Sequence, residues 1–150
     1  MPTTLSAPTQ VSSPLTRPTP VVVVPTRRFT RRANRWHRRI ARVLLGGLAL
    51  QLFFAGLGVF GVTSFLPHMI LGTGIVLASL ALPIVAWRGH LEAAAQRLSW
   101  LLAGLMVLQG LLIDLGRVVP VISALHPVNA MLLVLVAPLC GWYVSLHSMR

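Results

Sequence analysis

Four stretches of close to twenty apolar residues, at 43–62, 68–87, 98–115 and 128–146, leave this chain few folds to adopt. Each is long enough to cross the hydrocarbon core of a bilayer as a helix, which takes about 20 residues. No water pairs the backbone in that core, so each span must satisfy its own N–H and C=O groups, and an open sheet edge cannot. Charge agrees: Glu92 and Asp114 are the only acids in 150 residues. Charged residues make up 10% of the chain, against about 25% in a soluble domain, and the mean hydropathy is +0.79. The expected fold is all-α, a four-helix transmembrane bundle of up-down-up-down order. Pro83 and Pro138 fall inside the second and fourth spans and predict a bend in each.

The spans carry an internal repeat. Leu50-Gln51 returns 58 residues later as Leu108-Gln109, and His68 returns as His126 at the same offset. The same shift lays Gly46 on Gly104, Leu57 on Leu115 and Gly58 on Gly116. A duplicated helical hairpin follows, with a pseudo-two-fold axis along the membrane normal, an arrangement known among membrane proteins.

Ahead of the spans lie two further segments. Residues 1–26, rich in Pro, Thr and Ser, read as a disordered tail. Residues 27–42, RRFTRRANRWHRRIAR, hold eight of the thirteen basic residues, all of which are Arg. At helical spacing Arg28, Arg32, Arg35, Arg39 and Arg42 share a face, while Trp36 and Ile40 share another that can dip into the interface. A nucleic-acid arm and a twin-arginine export signal both lose to a cytoplasmic anchor. The run abuts a span, Phe29 stands one place too early for the export pattern, and no small-residue cleavage site follows. Anionic lipid headgroups are the expected partner, at about 1 kcal/mol per Arg near the surface, and nucleic acid is not. Arg88, Arg97 and Arg150 mark the same side, against Arg117 alone on the other. The positive-inside rule then puts both termini in the cytoplasm of a bacterial inner membrane.

Six residues are candidates for a site. His68 and His126 start the second and fourth spans, which face each other across the diagonal of such a bundle. Two imidazoles at one depth suit a metal or the axial positions of a b-type haem iron. The competing reading is structural, each His bonding a loop carbonyl next to its proline, Pro67 or Pro127. Gln51 and Gln109, polar amides within the spans, face the interior by default. A Gln–Gln hydrogen bond between spans one and three is one expectation, and a lining for a haem edge or quinone headgroup is the other. With the chain turning near Thr63, Gln51 sits about 12 Å deeper than His68 at helical rise. Asn129 lies three residues after His126, on the same face, to orient it or to bond the second connection. Its counterpart is Leu71, so this feature is not duplicated. Asp114 and Arg117, three apart, pair with each other, and Arg117 is the one outer cation that can meet a haem propionate. His37, His90 and His147 have no repeat partners and are given solvated or interfacial roles. No nucleophilic triad or phosphate loop is present, the two acids rule out carboxylate-rich metal sites, and the lone Cys140 excludes a disulfide, so an enzyme is not expected.

The strings QLFFAGLGVFG, FLPHMILG, LQGLL and ALHPVNAMLL resemble a family of small four-span bacterial membrane proteins classed as a domain of unknown function. Gln-x-x-Phe-Ala-Gly and Leu-His-Pro-Val-Asn are its most specific parts, and the likeness covers roughly 43–146. It implies the four-span fold and no established activity. Its members usually have a short N-terminus, so the 42-residue leader departs from it. A weaker likeness, carried by His68 and His126 alone, is to haem-binding four-helix modules such as the halves of haem A synthase. Two functions from different classes follow. One is a small haem-b or quinone-linked electron carrier, and the other is a structural or accessory subunit packed against a larger membrane partner.

Overall fold

The computed structural model describes residues 27–147, so the tail at 1–26 and Arg150 lie outside the described residues. Four helices run in order: α1 (Arg27–Val59), α2 (Leu66–Arg88), α3 (Ala93–Gly116) and α4 (Leu125–His147), with a short 3-10 helix, Pro120–Ala124, before the last. All four are long and apolar enough to cross a membrane. They form a closed ring in which each packs on its two neighbours, α1 on α2 and α4, and α3 on α2 and α4. Pro83 and Pro138 sit within α2 and α4, both of which continue past them.

The arginine-rich segment and the first span are one helix. At 33 residues α1 is about 50 Å long, some 20 Å more than the hydrocarbon core. Nothing between Arg27 and Gly46 breaks a helix, and Ala33, His37 and Ala41 recur every fourth residue on the face that packs against the bundle. Ala33 presses on Gly89, where an added Cβ would overlap its own methyl group. Arg39 lies over the Trp36 ring at 5.4 Å. Trp36, Trp87, Trp100 and Trp142 are all exposed near this arginine end, the pattern of an interfacial aromatic belt. The opposite end, where α1 turns into α2 and α3 into α4, is called the turn end below.

The core repeats with the sequence. Ala41 and Ser99, Leu44 and Leu102, Leu48 and Met106, Ile75 and Leu133, Ser79 and Ala137, Leu82 and Cys140, Ala86 and Val144, and His37 and Ala95 are all buried, and the members of each pair are 58 positions apart. Such interfaces rest on close packing and buried hydrogen bonds, since lipid is as apolar as Leu. A bond of this kind joins α1 to α3, from buried His37 Nε2 to Ser99 Oγ at 2.7 Å. Ser99 Oγ itself donates to Ala95 O, so His37 is the donor in this pair. His37 is therefore an interior residue, although its place among arginines suggests a solvated one.

The helix ends explain the connections. Gly61, at φ +70°, closes α1: its N–H reaches Gly58 O and that of Val62 reaches Leu57 O, which covers two of the last carbonyls. His90 does the same for α2 at φ +49°, with Leu91 N–H on Ala86 O. After each of the two turn-end connections the chain folds back beside a repeated glycine. Phe65 packs on Gly58, where a Cβ would come within 2.8 Å of its ring, and Ser123 packs on Gly116.

Candidate functional site

That fold-back brings the repeated Gln and His together. From Gln51 the helix climbs to Gly58, but α2 begins beside Gly58 and not above Val59, so the descent to His68 ends near Gln51. The expected offset of about 12 Å falls to roughly 6 Å at helical rise, which the two side chains span. Gln51 Nε2 donates to His68 O at 2.8 Å, and His68 Nδ1 donates to Gln51 O at 3.1 Å. The second hairpin repeats the arrangement: Gln109 Nε2 donates to His126 O at 3.0 Å and His126 Nδ1 to Gln109 O at 3.1 Å. Each pair is a reciprocal clasp across 17 residues, in which a side chain from each helix bonds the other helix's backbone. The expected Gln–Gln bond between spans one and three is not formed. Each amide finds a carbonyl in its own hairpin first, because the turn brings that carbonyl closer than the opposite helix.

A carbonyl oxygen can only accept, so the hydrogen in each imidazole bond sits on Nδ1. In the neutral ring Nε2 is then a bare lone pair. Neither Nε2 has a hydrogen-bond partner among the described residues. The two rings meet across the diagonal, with centroids 6.4 Å apart and planes at 61°.

The two clasps differ in their surroundings. Asn129, 4% exposed, donates through Nδ2 to Leu105 O at 2.9 Å and to Gln109 Oε1. Its side-chain hydrogen bonds therefore support Gln109. Leu71 stands at this position in the first hairpin, and Gln51 Oε1 is buried without a partner. Gly72 makes room for the Gln51 amide: a Cβ there would lie 2.6 Å from Nε2. The second hairpin has Ala130 at that place.

Between the hairpins lies a cavity of about 380 Å³. Repeat partners line it on both sides, among them Gln51 and Gln109, His68 and His126, and Val76 and Val134, with Leu48, Met106, Ile75 and Leu133 also in its wall. Leu52, Met69 and Ile113 line it while also facing lipid. Asp114 and Arg117 also line it and, at 71% side-chain exposure each and 3.9 Å apart, form the expected pair, a weak one at that exposure. Of the six candidate residues, five share this cavity, and Asn129 stands behind Gln109. Among the described residues no third His, Cys, Asp or Glu joins the two histidines to make a metal-holding group. Sequence reasoning takes Gly72 as a close-packing glycine without linking it to Gln51, and it misses the His37–Ser99 bond. The first link was legible in a small residue four positions after His68, and the second had no signal, since Ser99 stands among apolar residues of the facing span.

Fold and site define a small multi-pass membrane protein, a four-span bundle built on two clasped hairpins. Residues 51–117 match the model of a family of unknown function, DUF6220. The match opens at Gln51 and closes at Arg117, taking in the first clasp and Gln109 but not His126 or Asn129. No curated protein matches the chain, and no solved structure does.

Proposed function

We propose that the protein is a structural or accessory subunit of a larger membrane complex. The observation that carries this reading is the pair of clasps: each Nδ1–H and each Gln amide is spent holding its own hairpin in register. In this reading the arginine end of the bundle lies in the cytoplasm against anionic headgroups, with the termini on that side. The test is affinity purification of the tagged full chain at native expression, in mild detergent. A stoichiometric membrane partner is expected, and removing that partner's gene should lower the level of this chain. A chain that purifies alone, at a level no other membrane protein affects, would refute the proposal.

The competing reading is a b-type haem between His68 and His126. What favours it is the ring spacing of 6.4 Å together with the Nδ1–H bonds to carbonyls, the support that metal-bound imidazoles commonly have. In that reading the two Nε2 atoms hold the iron, Arg117 meets a propionate, and the haem supplies one-electron chemistry. Against it stands the cavity, near the lower limit of ligand sites at about 380 Å³ and closed on one side by the packed Leu48 and Leu133. Optical spectra of the purified protein, oxidised and dithionite-reduced, separate the two. Soret and α bands lost in both His68→Ala and His126→Ala would establish the haem, and a featureless spectrum from haem-replete cells would remove it.

A further inference from the structure

Three side-chain acceptors around the turn-end cavity have no partner. In a neutral ring that donates through Nδ1, Nε2 is an acceptor, and neither His68 Nε2 nor His126 Nε2 has a partner among the described residues. Gln51, which lines the same space, has a buried Oε1 with no partner. The donors nearby are turned elsewhere: each Gln amide gives one N–H to a histidine carbonyl, Thr73 Oγ1 donates to Met69 O, and Arg117 faces Asp114 at the exposed rim. The rest of the wall is apolar, and part of it is reached from the lipid. We propose that this cavity takes an apolar amphiphile headed by a hydroxyl, whose O–H donates to Nε2 of His68 or His126 while its hydrocarbon body lies along Leu52, Val76 and Ile113.

The complementarity is specific in sign. A ligand headed by a ketone, ester or ether brings another acceptor against the two Nε2 atoms, and ligand and imidazole both stay unpaired there. A hydroxyl resolves both. A bare metal ion fits less well, since it would find two imidazoles and no third ligating group of the kind His, Cys, Asp or Glu supply. This inference goes beyond the accessory role: a partnerless chain could still bind such a ligand, and a subunit with a partner could lack it.

A matched pair of probes tests it: para-octylphenol and its methyl ether, which share a body and differ in the one donor. The full-length protein in lipid nanodiscs is titrated with each, and binding is followed by ring-nitrogen NMR of isotope-labelled histidine. The phenol is expected to bind saturably, one per chain, and to shift an unprotonated Nε2 resonance. The ether is expected to bind at least about tenfold more weakly, the scale of one unmade buried hydrogen bond. The double variant His68→Asn with His126→Asn keeps a donor near each Nδ1 position, and hence the clasps, while deleting both Nε2 atoms. It should bind the two probes equally. Equal binding of phenol and ether to the unaltered protein, no binding of either, a preference that survives in the double variant, or a haem found in the native protein would each overturn the proposal. The first two outcomes and the last need no variant to fold.

Discussion

The two clasps look alike, but removing their glutamines should have unlike consequences. Gln51→Leu deletes one hydrogen bond between helices, Nε2 to His68 O, and with it a buried Oε1 that has no partner. Such bonds average about 0.6 kcal/mol in membranes, reaching about 1.7, while a stranded buried acceptor costs about 1–3 kcal/mol. The two terms oppose each other, and the net effect should lie within about 1 kcal/mol of zero. Gln109→Leu deletes two bonds, Nε2 to His126 O and the one its Oε1 accepts from Asn129, and removes no unpaired atom. It also leaves Asn129 buried with only Leu105 O to bond, and with its own Oδ1 still unpartnered. The expected loss is about 1–3 kcal/mol, roughly a 5- to 150-fold change in the unfolding constant. Reversible unfolding in mixed micelles of increasing denaturing-detergent fraction, followed by helical circular dichroism, reads both variants on one scale. Equal losses within about 0.5 kcal/mol, or a greater loss for Gln51→Leu, would refute this account of the asymmetry.

Three further outcomes follow from the packing. Gly72→Ala places a methyl group against the Gln51 amide and forces it off His68 O, so it should destabilise by about 1 kcal/mol. In a Gln51→Ala background that cost should vanish, and a double-mutant cycle without coupling would contradict the contact. Ser99→Ala leaves the His37 Nε2–H buried and unpaired, and should cost about 1–3 kcal/mol in the same unfolding assay. His90→Gly relieves a left-handed backbone at a non-glycine residue and should stabilise the protein by about 1 kcal/mol, seen as a raised unfolding midpoint.

The four spans were legible because bilayer thickness imposes their length, and the ring order followed from short connections. The joining of the arginine segment to the first span was not. Its helical spacing was read from the arginines, yet the face that docks it, Ala33, His37 and Ala41 at a spacing of four, was passed over. The repeat singled out Gln51, His68, Gln109 and His126, but it paired Gln with Gln and His with His, and not each Gln with the His of its own hairpin. A backbone carbonyl within a helix that takes a second hydrogen bond from a side chain has no sequence signature. The depth of His68 depended on Phe65 folding back beside Gly58, a local detail that helical rise alone does not contain. Asn129 was placed on the right helix and face, but its partner was Gln109, set by the packing of α3 against α4.

The few residues that join α2 to α3 have a further consequence. Two separate copies of one hairpin, assembled as a pair, would have to accept every substitution twice, once on each side of the axis. Joined end to end in one chain, the halves can change one at a time. Asn129 opposite Leu71, Ala130 opposite Gly72, and Asp114 and Arg117 opposite Gly56 and Val59 are changes of this kind; Gly72, Ala130, Asp114 and Arg117 line one cavity, and Asn129 stands behind its wall. An axial site that a symmetric dimer could only line twice over with the same groups has here acquired two different sides, so that a guest on the axis can tell one hairpin from the other.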